Sequence, residues 1–290
     1  MSSPRTALIC TAVAGLTLTW SQPQVAGQTG NAAALMARVG AYVQRYYATA
    51  QRVVAVETVT LQPLRSDLSA LDFPRRLEYD LRVEWTPGEA GQPGDAQVRR
   101  TLLKVNGRPP RAKDKPGCSD PRGVSPEPLA MFLPDQQSDY AFTLAKLGRA
   151  SGRRAMQVDY RPLKPGPVSV SWHEDCVSIE LPGRSIGRLW ADEVTGEVLR
   201  VDEHLVGQYD IPVPREQQRR GAAPTMTVER SSSSIRYQPV RFRDPDETLL
   251  MPSEIETVTI IRDSGTPHLR IRQVFSNYRR FVTEGRILTD

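Results

Sequence analysis

Residues 181–200 read LPGRSIGRLWADEVTGEVLR, and two incompatible structures compete for them. Gly183-Arg184-Ser185-Ile186-Gly187 matches the G-x-S-x-G pattern of a serine-hydrolase nucleophile elbow, which needs a strand, a sharp turn and then a helix to hold its serine exposed. The residues after Ser185 instead alternate in polarity, reach the turn pair Thr195-Gly196, and alternate again. That is the pattern of a β-hairpin. On this reading Pro182 and Gly183 end one strand, Ser185 enters the next, and Gly187 lies within a sheet. His204 and His268 stand downstream as formal triad partners, but three histidines and 33 acidic residues let a triad be drawn through almost any serine. Ser185 is predicted not to be a nucleophile and the chain not to be an enzyme, with a serine hydrolase at Ser185 as the least favoured alternative.

The same alternation extends in both directions. Upstream, residues 52–64, 75–87 and 96–110 are β-branched or alternating, the second placing Leu77, Tyr79, Leu81, Val83 and Trp85 on one face and the third ending in the turn signal Asn106-Gly107. Residues 139–149, 153–163 and 167–181 read as further strands. Downstream, residues 234–244, 254–263 and 268–281 close the chain, with a turn at 263–267. One helix precedes them all: in residues 31–50, Leu35, Val39, Tyr42, Val43 and Tyr46 fall on one face, with Asn31 as N-cap. A single helix followed by about ten strands, with hairpin signals between neighbours and no helix–strand repeat, predicts a mainly β fold. Its expected form is a large curled antiparallel sheet, an unclosed half-barrel, wrapped over the helix. Two segments depart from the pattern. Residues 111–137 are proline-rich, with room for a short helix at 127–133, and read as an excursion from the sheet. Residues 212–234 are polar and Arg-rich and end in four serines, which predicts a mobile loop.

Residues 1–27 combine Arg5, an almost uncharged apolar run from Ala7 to Trp20, and small residues at 25–27, the make-up of a secretory signal peptide. The run is shorter than the ~20 apolar residues a bilayer span needs, and Cys10 lies inside it rather than after it, which argues against lipid attachment. The expected product is one β-rich domain, residues 28–290, periplasmic or secreted and not integral to a membrane. Beyond the signal two cysteines remain, Cys118 and Cys176. Export favours a disulfide between them, with two buried thiols as the alternative. The net charge of +5, 38 basic against 33 acidic residues, is spread along the chain and does not predict nucleic-acid binding.

Other chemistry-bearing clusters are weak. His173-Glu174-Asp175-Cys176 gathers metal-capable groups, but strand alternation leaves only His173 and Asp175 on one side, too few for a zinc site. Asp192-Glu193 and Asp202-Glu203 flank a hairpin turn, where solvent would deny either the raised pKa of a glycosidase acid. Phosphate loops, dinucleotide fingerprints and HExxH are missing, and neither cofactor nor metal is expected.

The order of export signal, N-terminal helix and long antiparallel run, with Leu189-Trp190-Ala191-Asp192 turning through Thr195-Gly196 to Val198-Leu199-Arg200, resembles the periplasmic lipoprotein carriers of the LolA/LolB-like family. Residues 274–281, VFSNYRRF, resemble that family's last strand. The resemblance implies an unclosed barrel over a helix, with an apolar cavity for acyl chains. The expected function is therefore a non-enzymatic exported protein holding a lipid, a lipoprotein acyl chain or another apolar ligand. Trp85, Trp190, Phe275, Tyr42 and Tyr46 are the candidate cavity walls, between helix and sheet. The alternative is an envelope sensor or scaffold that binds another envelope protein through the sheet.

Overall fold

The computed structural model describes residues 26–50, 52–87, 93–114, 117–121, 129–173, 176–218, 223–243, 246–263 and 268–280. Residues 1–25 of the signal peptide expected over 1–27, Glu174, Asp175 and most of the 263–267 turn lie outside them. So do residues 115–116 and 122–128 of the excursion.

Helix α1 (Ala26–Thr49) opens the chain, beginning just ahead of the expected cleavage point. Three strands follow as a meander: β1 (Arg52–Leu64), β2 (Arg75–Pro87) and β3 (Pro93–Val105). After the excursion come β4 (Tyr140–Ala150), β5 (Arg153–Pro162), the short pair β6 (Ser169–His173) and β7 (Cys176–Glu180), then β8 (Ser185–Ala191) and β9 (Val198–Leu205). A four-residue β10 (Tyr209–Pro212) and the long β11 (Thr225–Arg243), β12 (Asp246–Arg262) and β13 (His268–Arg280) complete the chain.

Eleven strands form one sheet, ordered β3-β2-β1-β13-β12-β11-β9-β8-β5-β4, with β10 added to β11; β6 and β7 pair only with each other. The ladders are antiparallel throughout, and the terminal strands β3 and β4 do not meet, so the sheet is unclosed. The expected fold class is thus the one observed. Strand β13 returns to pair with β1, Val59 opposite Gln273 and Leu61 opposite Ile271, which sets the first and last described strands side by side in the middle of the sheet.

Three segments differ from expectation. Of the proposed mobile loop 212–234, residues 225–234 form the first half of β11, and Ser231, Ser232, Ser233 and Ser234 pair with β12 in the sheet interior. Serine composition suggests a loop only while the backbone lacks partners. Here β12 pairs with all four serines and β9 with Ser232, Ser233 and Ser234, so ladder hydrogen bonds outweigh the local preference. The strand expected over 167–181 is divided into the β6–β7 hairpin, with His173 opposite Cys176 at its tip. The short helix expected at 127–133 is observed as one 3-10 turn, Ala130–Phe132.

Helix α1 covers one face of the sheet. Leu35, Val39, Tyr42, Val43 and Tyr46, the face predicted from spacing, are all buried, and Met36 and Tyr47 join them. They meet Leu81 and Val83 of β2, Val158 of β5, Leu189 of β8, Val201 of β9 and Ile235 of β11 in one cluster. Two devices hold the helix. Gln137 donates to the carbonyls of Met36 and Phe132 at 2.9 and 2.8 Å. The Thr195-Gly196 turn lies against the helix backbone: Gly196 has φ +73°, and a Cβ there would stand 2.5 Å from the carbonyl carbon of Arg38. Only glycine meets both conditions.

Candidate functional site

The opening motif resolves as a hairpin. Ser185 begins β8 opposite Leu205 of β9, and the ladder continues through Gly187–Glu203 and Leu189–Val201. A strand follows the serine where an elbow requires a helix. Gly187 is a close-approach residue, since an added Cβ would lie 2.3 Å from the Tyr160 ring and 2.5 Å from the Asp202 carbonyl oxygen. At the far end of the hairpin Asp192 accepts from the backbone N–H groups of Val194 and Thr195, both at 3.0 Å, and from Arg153 at 2.7 Å. Burial works to raise its pKa, but these donors outweigh it and hold the carboxyl below the usual range. Asp192 is thereby a turn-building residue.

Alternation and register separate the two faces of this sheet. Leu189, Val201 and Ile235 face α1, as do their alternates Ser185, Gly187, Glu203, Leu205 and Ser233. Trp190 and Arg200 form the neighbouring pair on the opposite face, with the guanidinium 4.7 Å from the indole centre. The remaining wall candidates are distributed as follows. Tyr42, Tyr46 and Phe275 are buried in the helix–sheet core. Trp85 is half-buried, its ring edge-on to Tyr47 at 4.9 Å, and borders a gap of only about 10 Å³ beside Ala50, Val53 and Met251. That gap is far below the ~300–1,000 Å³ usual for small-molecule sites. Helix and sheet are packed together there with no space for an acyl chain.

Open volume lies elsewhere on the same face. The β6–β7 hairpin stands over the sheet beyond the helix, and Val170, Trp172, Val177 and Ile179 pack against Ile211, Met226 and Val228. Between hairpin and sheet runs a groove of about 660 Å³. Its hairpin side includes Val177, Ile179 and Leu181, with the polar Ser178 and Glu180 between them; its sheet side includes Ser185, Glu203, Leu205, Val228, Ser231, Thr259 and Ile261. None of the five aromatic wall candidates borders it. The hairpin's alternation sends Val177 and Ile179 inward while Ser178 and Glu180 are exposed. That pattern was visible in the sequence, but the hairpin's position over the sheet was not.

Cys176, at the start of β7, is bonded to Cys118, with Cα atoms 5.3 Å apart and a separation of 58 positions in sequence. The disulfide is therefore formed, and Cys176 is not available to a metal. It ties the hairpin to the excursion, which is seated in turn by the ion pair of Asp120 with Arg75 of β2 at 2.8 Å. A second tether acts at the hairpin's base, where Arg184 donates to the carbonyls of Gly166 and Pro182 at 2.6 and 3.1 Å.

One polar cluster sits deeper on the helix-bearing face. Glu57 of β1 is fully buried and accepts from Arg100 of β3 at 2.6 and 3.3 Å and from Gln273 of β13 at 2.7 Å. Both carboxylate oxygens are thus satisfied across three strands, which makes it a structural ion pair. Among the described residues no group of three or more His, Cys, Asp or Glu is placed to hold a metal ion. No described helix is long and apolar enough to cross a membrane.

No protein-family model matches the chain, and no curated protein matches it. Among solved structures it is similar to a DUF1329 family protein from Desulfovibrio piger, at 10% identity and TM-score 0.43, covering 87% of this chain and 94% of that one. It is also similar to LolA superfamily protein NE2245 from Nitrosomonas europaea, at 11% identity and TM-score 0.31, covering 89% and 97%. A third likeness is to an outer membrane lipoprotein-sorting protein domain from Vibrio parahaemolyticus, at 10% identity and TM-score 0.31, covering 90% and 94%. At these identities and scores the likenesses transfer no ligand, partner or activity to this chain.

Proposed function

We propose that this chain is an exported, non-enzymatic binding protein that holds a lipid, an acyl chain or another apolar ligand in the groove beneath the β6–β7 hairpin. The groove's size and walls carry the reading. Its volume of about 660 Å³ falls within the ~300–1,000 Å³ usual for small-molecule sites, and apolar side chains stand on both of its sides. Each methylene buried there contributes about 0.8 kcal/mol. The Cys118–Cys176 bond supports export, because such bonds persist in oxidising compartments.

Native mass spectrometry after gentle purification tests the reading. It expects a bound amphiphile or acylated species on the wild-type protein and its loss in Leu205→Trp, which fills the groove from the sheet side. A ligand-free wild type that also fails to take up added fatty acid or detergent monomer overturns it.

The second reading, a scaffold for another envelope protein, is favoured by the strand edges. Strands β3 and β4 each have one sheet neighbour, so each offers an edge to which a partner's strand can add. It predicts that a proline at an outward-facing amide of β4 abolishes capture of a partner while Leu205→Trp does not.

A further inference from the structure

The groove is not uniformly apolar, and the strand registers order its polarity. Three rows of side chains cross its sheet side. Nearest the centre of the sheet stands Glu203, opposite Gly187 and Ser233. The next row contains Ser185 opposite Leu205, and Ser231 opposite Thr259. Beyond it, Val228 and Ile261 face the hairpin. Polarity therefore falls in one direction, from carboxylate through hydroxyls to aliphatic side chains.

The charge is one-sided. Among the described lining residues the ionisable groups are Glu203 and Glu180, and no cation is present. Tyr160 donates its hydroxyl to Oε2 of Glu203 at 3.1 Å, an arrangement that holds the carboxylate in place without neutralising it. The Tyr160 phenol is itself pushed well up, by burial first and by Glu203 second, and so remains a donor. The hydroxyls of Ser185, Ser231 and Thr259 belong to residues that line the groove. An acceptor-only carboxylate at one end of an apolar groove attracts a donor-bearing cation and repels an anion.

Resting on the binding function proposed above, we infer that the ligand is a cationic amphiphile. Its ammonium or amine head lies at Glu203 among the serine hydroxyls, and its alkyl chain runs under the hairpin towards Val228 and Ile261. The direction of this preference is opposite to that of the whole molecule, whose formal net charge of +5 favours anions at its surface. A cation preference is therefore a property of the groove.

The test compares four twelve-carbon probes below their micelle concentrations: dodecylamine, dodecyltrimethylammonium, dodecanoate and dodecyl maltoside, by calorimetry on the full chain. Both cations are expected to bind at least tenfold more tightly than dodecanoate. Glu203→Gln is expected to weaken dodecylamine about tenfold, the size of one hydrogen bond to a charged group, and to weaken the uncharged maltoside less, because the Gln carbonyl still accepts from a hydroxyl. A far-ultraviolet circular dichroism spectrum and thermal midpoint matching the wild type check that the variant is folded. Ser231→Ala, a milder change in the adjoining row, is expected to weaken dodecylamine several-fold. Equal or tighter binding of dodecanoate, or undiminished amine binding by Glu203→Gln, overturns the head-group assignment and leaves the groove as an acyl site. Failure of all four probes, the neutral one included, overturns the binding function and this inference with it.

Discussion

At the scale of single residues, Glu57 and Arg100 show how a charge is kept inside this sheet. Arg100 is almost as buried as Glu57, with side-chain exposures of 7% and 0%, so neither can turn to water if the other is removed. Breaking such a pair costs about 3–5 kcal/mol, whereas replacing both members with apolar residues of similar volume is often neutral or stabilising. Arg100→Leu is accordingly expected to lower stability by about that amount in urea denaturation, and the double variant Glu57→Leu/Arg100→Leu to recover most of the loss. A double variant as unstable as the single one would count against this account. Tyr79 carries a pH signature. Burial first, and the Asp120 carboxylate second, push its phenol up to about 12, whereas in the unfolded chain it ionises near 10 (~10). The raised value favours the folded state fully below pH ~10, and this contribution is lost as pH rises towards the folded value. Tyr79→Phe should therefore flatten the alkaline limb of the stability curve over that interval. An unaltered slope would show that Tyr79 does not contribute to it.

At the scale of elements, two short pieces position much larger ones. The Thr195-Gly196 turn is a bearing for helix α1. Gly196→Ala places a side chain at φ +73° and against the Arg38 carbonyl, so it should cost about 1–3 kcal/mol for the backbone alone. Hydrogen exchange should quicken along α1 as well as in the turn; quickening confined to the turn would rule out the bearing role. The β6–β7 hairpin pairs with no strand of the main sheet, so its position depends on side-chain packing and on the Cys118–Cys176 bond. Closing a loop of this length is worth about 4 kcal/mol in the chain-entropy treatment. Replacing both cysteines by serine should lower stability by roughly 2–4 kcal/mol and raise exchange in residues 169–180 before the main sheet. Uniform loss of protection would mean that the hairpin is no independent lid. The serine run in β11 shows the converse case, a locally loop-like sequence held straight by neighbours on both sides.

At the scale of the whole molecule, the return of β13 to β1 joins the early meander to the later strands. Because the ladder is continuous from β3 to β4, residues 28–290 are expected to unfold as one cooperative unit, with tryptophan fluorescence and far-ultraviolet circular dichroism tracing coincident transitions. Separate transitions would divide the sheet into two units. Much of this architecture was legible in advance. Alternation located β1 and β2 to the residue, helical spacing identified the buried face of α1, and turn chemistry distinguished a hairpin from an elbow at Ser185. These are local signals, set by side-chain period and backbone preference within a few residues. Strand order, the pairing of the serine run and the site of open volume are not local. The aromatic residues singled out as cavity walls carry the largest apolar surface, and all five, Tyr42, Tyr46, Trp85, Trp190 and Phe275, belong to the core cluster or pack against it. The groove is bordered instead by modest residues, Leu205, Val228, Ser231 and Glu203, drawn together from distant strands. By itself the sequence determined the element types, the faces they bury and the two cysteines available to bridge. Only the tertiary structure decided that the helix seals its part of one sheet face while the hairpin, farther along the same face, leaves a groove, because a void depends on how surfaces from distant segments fail to meet, and no short stretch of chain encodes that.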